Sequence, residues 1–278
     1  MICQILNKNG INTAQYIKTL EGKNYTIFEE RFCIILKYIS GKVYKNNVGN
    51  NEMLKESAQY LAKIVNALKE LPLMNCDDMK SYFSVECLEN FIGKAKQIIT
   101  DFYPKTRLDR KMLADVNDKI EIAEQLKHLD FSKFNCYTVA NSHGDYNQLQ
   151  FIYQKKKIKA IIDYVASKAL PISWEIIRSY SSLDKKAKKG VFDIENFVDY
   201  VKYFNEIYPL CSADLTIMPY LFLLQLSTSL YGYKQFFAKT ANKDLIKYAQ
   251  LRTNISKYLL KNAEMLVNAL QKNIVVKK

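Results

Sequence analysis

The stretch Ser142-His143-Gly144-Asp145-Tyr146-Asn147-Gln148-Leu149-Gln150-Phe151-Ile152-Tyr153 decides the reading, together with Ala160-Ile161-Ile162-Asp163-Tyr164 just beyond it. One carboxylate, Asp145, follows a glycine in a tight turn. An amide, Gln150, stands five residues later, and a second carboxylate, Asp163, thirteen residues after that. Leu149 to Tyr153 and Lys157 to Tyr164 read as two strands turned at Lys155-Lys156-Lys157. Such a hairpin brings Gln150 and Asp163 near one another and leaves Asp145 at the loop edge, free to receive a proton. Mg²⁺ takes oxygen ligands and commonly binds one or two carboxylates plus substrate phosphates. Asn147 is the weaker metal candidate, because its spacing from Asp145 is wrong.

Working outward, residues 2–9 read as the end of a helix stopped at Asn9-Gly10. Gln15 to Thr19 reads as a strand. Tyr25 to Phe28 and Phe32 to Ile39 read as a hairpin around Glu29-Glu30-Arg31, and Ser40-Gly41-Lys42 breaks the pattern. Helical spacing then takes over. Leu54, Ala58, Leu61, Ala62, Val65 and Leu68 share one face of a helix over 51–71, ended by Pro72. Helices follow over 84–102 and 109–129. After the hairpin, they return over 173–183, 193–208, 212–237 and 242–271. The predicted class is α+β, with a small β-containing front and a mainly helical body around a central β-hairpin.

The His143-Gly144-Asp145 loop and the Ile162-Asp163-Tyr164 strand end resemble the catalytic segments of the aminoglycoside phosphotransferase, choline kinase and maltokinase-like small-molecule kinases. These are relatives of protein kinases. The resemblance implies a protein-kinase-like fold and transfer of the γ-phosphoryl group of ATP, with Mg²⁺, to a small hydroxylated substrate. It implies that Asp145 is the catalytic base, that His143 positions it, and that Asp163 and Gln150 hold the metal. Most of the family has Asn where this chain has Gln150, which offers the same amide oxygen on a longer arm. Leu36-Lys37-Tyr38-Ile39 resembles the hinge whose backbone meets adenine. Pro171 with Trp174-Glu175-Ile176-Ile177-Arg178 resembles the segment after the metal-binding Asp. On this reading residues 1–41 are a truncated nucleotide-binding lobe and residues 42–278 the helical lobe. A Gly-rich loop and a phosphate-pairing Lys have no counterpart here, and Lys8, Lys18 and Lys37 read as surface lysines. The expectation is a fragmented reading frame, a misassigned start codon or a separately encoded first segment.

Bulk properties narrow the alternatives. A formal charge of +13 over 278 residues invites a nucleic-acid reading. The densest basic clusters, Lys155 to Lys157 and Lys185 to Lys189, read as solvated turns, and no zinc-finger or RNA-binding motif accompanies them. The expectation is no nucleic-acid partner and no membrane partner. The six cysteines form no CxxC pair and read as buried, reduced thiols. The amino terminus has no signal-peptide core, and Leu221 to Leu226 is too short to span a bilayer, so a cytoplasmic location is expected. Two further readings stand beside the kinase. One is a non-catalytic pseudokinase or a spore-coat-like structural relative, and the other a basic nucleic-acid-binding protein. Tyr220, Gln225, Tyr231, Tyr233 and Gln235 read first as ordinary packing and second as an acceptor wall, and Asp184, Asp193, Glu195, Asp199 and Asp214 are candidate acceptor carboxylates that helix polar faces explain equally well.

Overall fold

A computed structural model describes residues 1–134 and 136–276. The chain opens with helix α1 (Ile2–Lys8), which buries Leu6, and then the hairpin β1 (Thr26–Phe28) and β2 (Arg31–Cys33). Glu29 and Glu30 both take positive φ, the backbone of a two-residue hairpin turn. The turn is therefore tighter than the sequence suggested, and Arg31 already belongs to β2. The two predicted strands on either side shrink as well. Gln15 to Thr19 and Ile34 to Ile39 meet through a single bridge, Tyr16 to Leu36, and among the described residues no third strand pairs with them. Phe28, Phe32, Ile35 and Tyr38 are exposed.

The body is built from capped amphipathic helices. In α2 (Asn51–Ala67), Asn50 accepts from the Met53 N–H at 2.9 Å, and the predicted stripe is buried. In α3 (Val85–Asp101) the cap is Ser84. Thr106 and Asp109 form a capping box on α4 (Arg107–Leu126). Each such cap satisfies backbone donors that a helix start leaves free. Then come β3 (Val139–Ser142), β4 (Phe151–Gln154), β5 (Lys157–Ile161) and β6 (Lys168–Pro171). Helices α5 (Ile172–Leu183), α6 (Ile194–Asn205), α7 (Ser212–Ser227), α8 (Tyr233–Phe237) and α9 (Lys243–Asn273) complete the body. The predicted helix over 212–237 is thus two helices. Gly232, at φ 89, makes the break, and the side chain of Ala249 leaves no room there for a Cβ.

The four middle strands set up the site. β4 and β5 form an antiparallel hairpin with Lys155 and Lys156 at positive φ in its turn. β3 and β6 pair antiparallel outside it, Val139 opposite Pro171 and Ser142 opposite Lys168. One hairpin is nested in the other pair, so the two connections 143–150 and 162–167 must run side by side. Residues 1–41 attach to this unit through Ile161, whose N–H donates to Asn12 O at 3.0 Å. Lys42 and Tyr153 exchange two backbone bonds just after.

The lysine clusters are exposed, as expected, and so are Lys8, Lys18 and Lys37. The cysteines are all free, but none is buried; Cys76 and Cys136 are exposed and the other four half-buried. Among the described residues, no helix is long and apolar enough to cross a membrane.

Candidate active site

The nesting brings the two connections into contact. His143 is fully buried, and its Nε2 lies 3.0 Å from the Ile162 carbonyl. Its Nδ1 accepts the Asp145 N–H at 3.3 Å. Accepting at Nδ1 and facing a carbonyl at Nε2 suit one neutral tautomer, and burial pushes the His143 pKa down. The ring is packed between Tyr146 and Tyr164, at centroid distances of 5.7 and 4.5 Å. Gly144 takes φ 80, and a Cβ there would lie 1.9 Å from the Ala166 carbonyl oxygen. Only glycine lets the two connections approach this closely.

Glu175, on the first turn of α5, is also fully buried. Its carboxylate accepts from the Ser142 hydroxyl and, at 3.1 Å, from the Tyr146 N–H. It therefore grips both ends of the His143-Gly144-Asp145 turn. The Tyr146 hydroxyl donates to Ser57 O at 2.8 Å and ties the same turn to α2.

Asp145 is half-buried. One carboxylate oxygen is ion-paired with Arg178 of α5, and the other accepts from Gln150 Nε2 at 3.1 Å. Arg178 in turn stacks on Trp174, 5.2 Å from the ring centroid. Asn147 is spent on the turn. It accepts from the Leu149 N–H at 3.0 Å and donates to Asp145 O at 2.8 Å. Gln150 and the residue before Asp163 are joined directly, the Ile162 N–H donating to Gln150 O at 3.0 Å. Asp163 is exposed and sits at φ 65 and ψ 65, a left-handed conformation that Asp tolerates better than most residues. Its side chain caps nothing and has no hydrogen-bond or ion-pair partner among the described residues.

The two carboxylates open on different cavities. Asp163 borders an apolar slot of about 830 Å³ walled by Leu36, Tyr38, Ile39, Ile152 and Tyr164. Asp145 borders a polar cleft of about 700 Å³ between the loop and α5, α7 and α9. Of the backbone groups at 36–39, the Lys37 N–H is already taken by Gln15 O at 2.8 Å, whereas those of Leu36 and Tyr38 have no partner among the described residues. The donor set suits a magnesium ion. Asp163 offers a free carboxylate beside a slot of nucleotide size, and Gln150, whose Nε2 faces Asp145, has its amide oxygen unpaired among the described residues, leaving the remaining positions to phosphates and water. Among the described residues no cluster of three or more His, Cys, Asp or Glu could hold a metal by itself.

Of the stripe read as packing or as an acceptor wall, most members pack. Gln225 and Tyr231 do line the cleft. Tyr220 packs on Phe134, Tyr233 is buried against Thr253, and Gln235 accepts the Gly232 N–H. Asp214 is buried and accepts from the Thr138 N–H and hydroxyl, both at 2.7 Å. Asp184 accepts the Ala187 N–H, and Asp193 caps α6 and pairs with Lys186. Neither they nor Glu195 and Asp199 line the cleft; Asp244 does. Sequence reading also missed the direct grip of Glu175 and Arg178 on the loop, as well as Tyr248 and Arg252 in the cleft wall. An apolar-polar pattern in α5 carries no hint that its polar members turn inward.

No protein-family model matches the chain, and no curated protein matches it in sequence. Solved structures do. An aminoglycoside phosphotransferase from Alicyclobacillus acidocaldarius superposes with a TM-score of 0.63 at 14% identity, over 96% of this chain and 82% of that one. The AMP-bound complex of spectinomycin phosphotransferase gives 0.62 at 17% identity, over 93% and 81%. A choline/ethanolamine kinase family protein from Mesorhizobium loti gives 0.56 at 11% identity, over 98% and 82%. At these identities the likeness establishes the fold, an α+β protein-kinase-like architecture.

Proposed function

We propose that this chain is a small-molecule kinase, moving the γ-phosphoryl group of ATP to a hydroxyl group of an acceptor. The observation that carries the reading is the pair of carboxylates on touching connections, each opening on its own cavity. The slot beside Asp163 takes the nucleotide and the cleft beside Asp145 takes the acceptor. In this account Asp163 and Gln150 hold Mg²⁺, which supplies charge neutralisation on the phosphates when bound. The free backbone groups of Leu36 and Tyr38 meet the adenine edge, with Lys37 and Ile39 completing the wall. Asp145 orients the acceptor hydroxyl and takes its proton on a carboxylate oxygen. Arg178 and Gln150 hold that carboxylate in place, His143 holds the Asp145 backbone N–H, and Glu175 holds the turn. Positioning of this kind is most of what phosphoryl transfer asks of a protein.

The reading draws support from the solved proteins of this fold. Spectinomycin phosphotransferase has been solved with AMP, and also with ADP and spectinomycin. On this account residues 1–41 form the nucleotide side and residues 42–278 the helical side, and the chain works in the cytoplasm, where ATP is abundant. The exposed apolar faces of β1 and β2 fit a surface that further strands cover, supplied by a separately encoded segment.

A second reading has one specific observation in its favour. Lys8, Lys18 and Lys37 are exposed, and none forms an ion pair with a glutamate that would orient it toward phosphates. A non-catalytic relative that keeps the pocket would look the same. Incubation with ATP labelled on its γ-phosphate, Mg²⁺ and a pool of hydroxylated metabolites separates the two. The kinase account predicts Mg²⁺-dependent label in a small-molecule product. A folded chain that binds nucleotide yet yields no labelled product favours the non-catalytic reading.

A further inference from the structure

The polar cleft beside Asp145 has a surplus of unpaired donors, and this bears on what it holds. Its charged residues are Asp145, Arg178, Asp244 and Arg252. Asp145 is neutralised by Arg178. Arg252, half-buried on α9, has no hydrogen-bond or ion-pair partner for its guanidinium among the described residues. It lies over the Tyr248 ring, 5.4 Å from its centroid and one turn away on the same helix. On the facing helix α5, Arg178 Nη1 and Trp174 Nε1 are buried atoms with no hydrogen-bond partner. Buried donors in native proteins are nearly always paired, so orphans gathered around one cleft point to a ligand that supplies acceptors. Against them stand one orphaned acceptor, Asn46 Oδ1, and one unpaired carboxylate, Asp244, which is exposed at the start of α9.

The electrostatics point the same way. Arg252 lies close enough to buried Lys119 to help lower that lysine's pKa to about 7, although burial is the larger cause. Lys119 Nζ sits 2.5 Å from the carbonyl of Leu226, a residue of the cleft wall. An anion beside Arg252 relieves this crowding of positive groups, whereas a cation adds to it. At longer range the chain carries a formal charge of +13, which draws anions toward the cleft and repels polycations. A polyamine-like acceptor needs several free carboxylates, and this cleft offers one.

We infer that the acceptor is a hydroxylated anion, a carboxylate or a phosphate monoester, zwitterions included, and that Arg252 on its Tyr248 platform is the group that recognises it. A guanidinium fork lying over a ring matches the two oxygens of a carboxylate or phosphate, and its planar shape loses less freedom per hydrogen bond than a lysine would. The inference rests on the kinase reading for the word acceptor. The anion site itself does not depend on it.

Saturation-transfer NMR on the purified chain, without nucleotide, tests the site with D-glycerate, glycerol 3-phosphate, glycerol and choline. The expected result is binding of one or both anions and none of glycerol or choline. In Arg252→Gln, with an unchanged melting temperature, anion binding falls at least about tenfold. Arg252→Lys, which keeps the charge and loses the fork, recovers only part of it. Response to glycerate alone or to glycerol 3-phosphate alone distinguishes a carboxylate from a phosphate. Preference for choline or glycerol overturns the inference, and so does silence of both anions at 20 mM. Equal anion binding by the wild type and Arg252→Gln also overturns it, because that reads only the net charge. Loss of label transfer with anion binding intact defeats the kinase reading and leaves this site standing.

Discussion

Replacing Asp145 with Asn removes phosphoryl transfer, by about 10²–10⁴-fold in a single turnover, and leaves Mg·ATP affinity within a few-fold of the wild type. Asn keeps the shape of the side chain and can still face Gln150 and Arg178, so the His143-Gly144-Asp145 turn and its buried anchor Glu175 are undisturbed. On the kinase account, what it loses is the oxygen that takes the acceptor proton. Rapid-quench transfer of labelled phosphate to the product of the metabolite screen, paired with calorimetric titration of Mg·ATP, separates the two effects. A variant that transfers at the wild-type rate would contradict the role given to Asp145. One that loses nucleotide affinity as well would show that Asp145 belongs to the metal site.

Asp163→Asn has the complementary effect. Nucleotide affinity in the presence of Mg²⁺ drops by roughly a hundredfold, toward the value measured with a chelator, because the site offers one free carboxylate and loses it. The substitution is a clean probe for a backbone reason. Asp163 sits at φ 65, and Asn accepts that left-handed conformation about as readily as Asp, whereas Ala does not. Asn therefore removes charge without adding strain. Titrations of ATP at saturating Mg²⁺ and in EDTA give the comparison. An Mg²⁺ enhancement equal to that of the wild type places the metal elsewhere.

How far these residues could be read in advance depended on how local their relations are. Gln150 and Asp163 flank one short hairpin and Asp145 lies five residues before Gln150, so spacing pointed to Gln150 as the neighbour of each, and the apolar stripe of α2 was visible as a period. The pairing of β3 with β6 was not. Lys168 to Pro171 has no alternation and ends in proline, and its partner Val139 to Ser142 lies some thirty residues back. Without that pairing nothing predicted that the two connections touch, or that Gly144 faces a backbone carbonyl. The Arg178 to Asp145 contact spans a similar gap and appears only once α5 is docked. The break after α7 was hidden because Leu230 and Tyr233 keep a helical spacing from Leu226, and a single glycine such as Gly232 is tolerated inside a helix. Tyr233 consequently turns into the core. At the front of the chain, Phe32 to Ile39 has strand composition, but composition does not supply a partner strand.

The most direct test of the account is the melting temperature of the purified chain with Mg·ATP, with ATP and EDTA, and with neither. A ligand that binds only the folded state raises it by mass action. At a concentration about a hundred times the dissociation constant the gain is near 2.7 kcal/mol, or roughly 5–10 °C for a chain of this size. The account predicts such a rise with Mg·ATP, most of it lost in EDTA and in Asp163→Asn. No rise at 5 mM Mg·ATP, or one that survives unchanged in both controls, would contradict a nucleotide site built on Asp163.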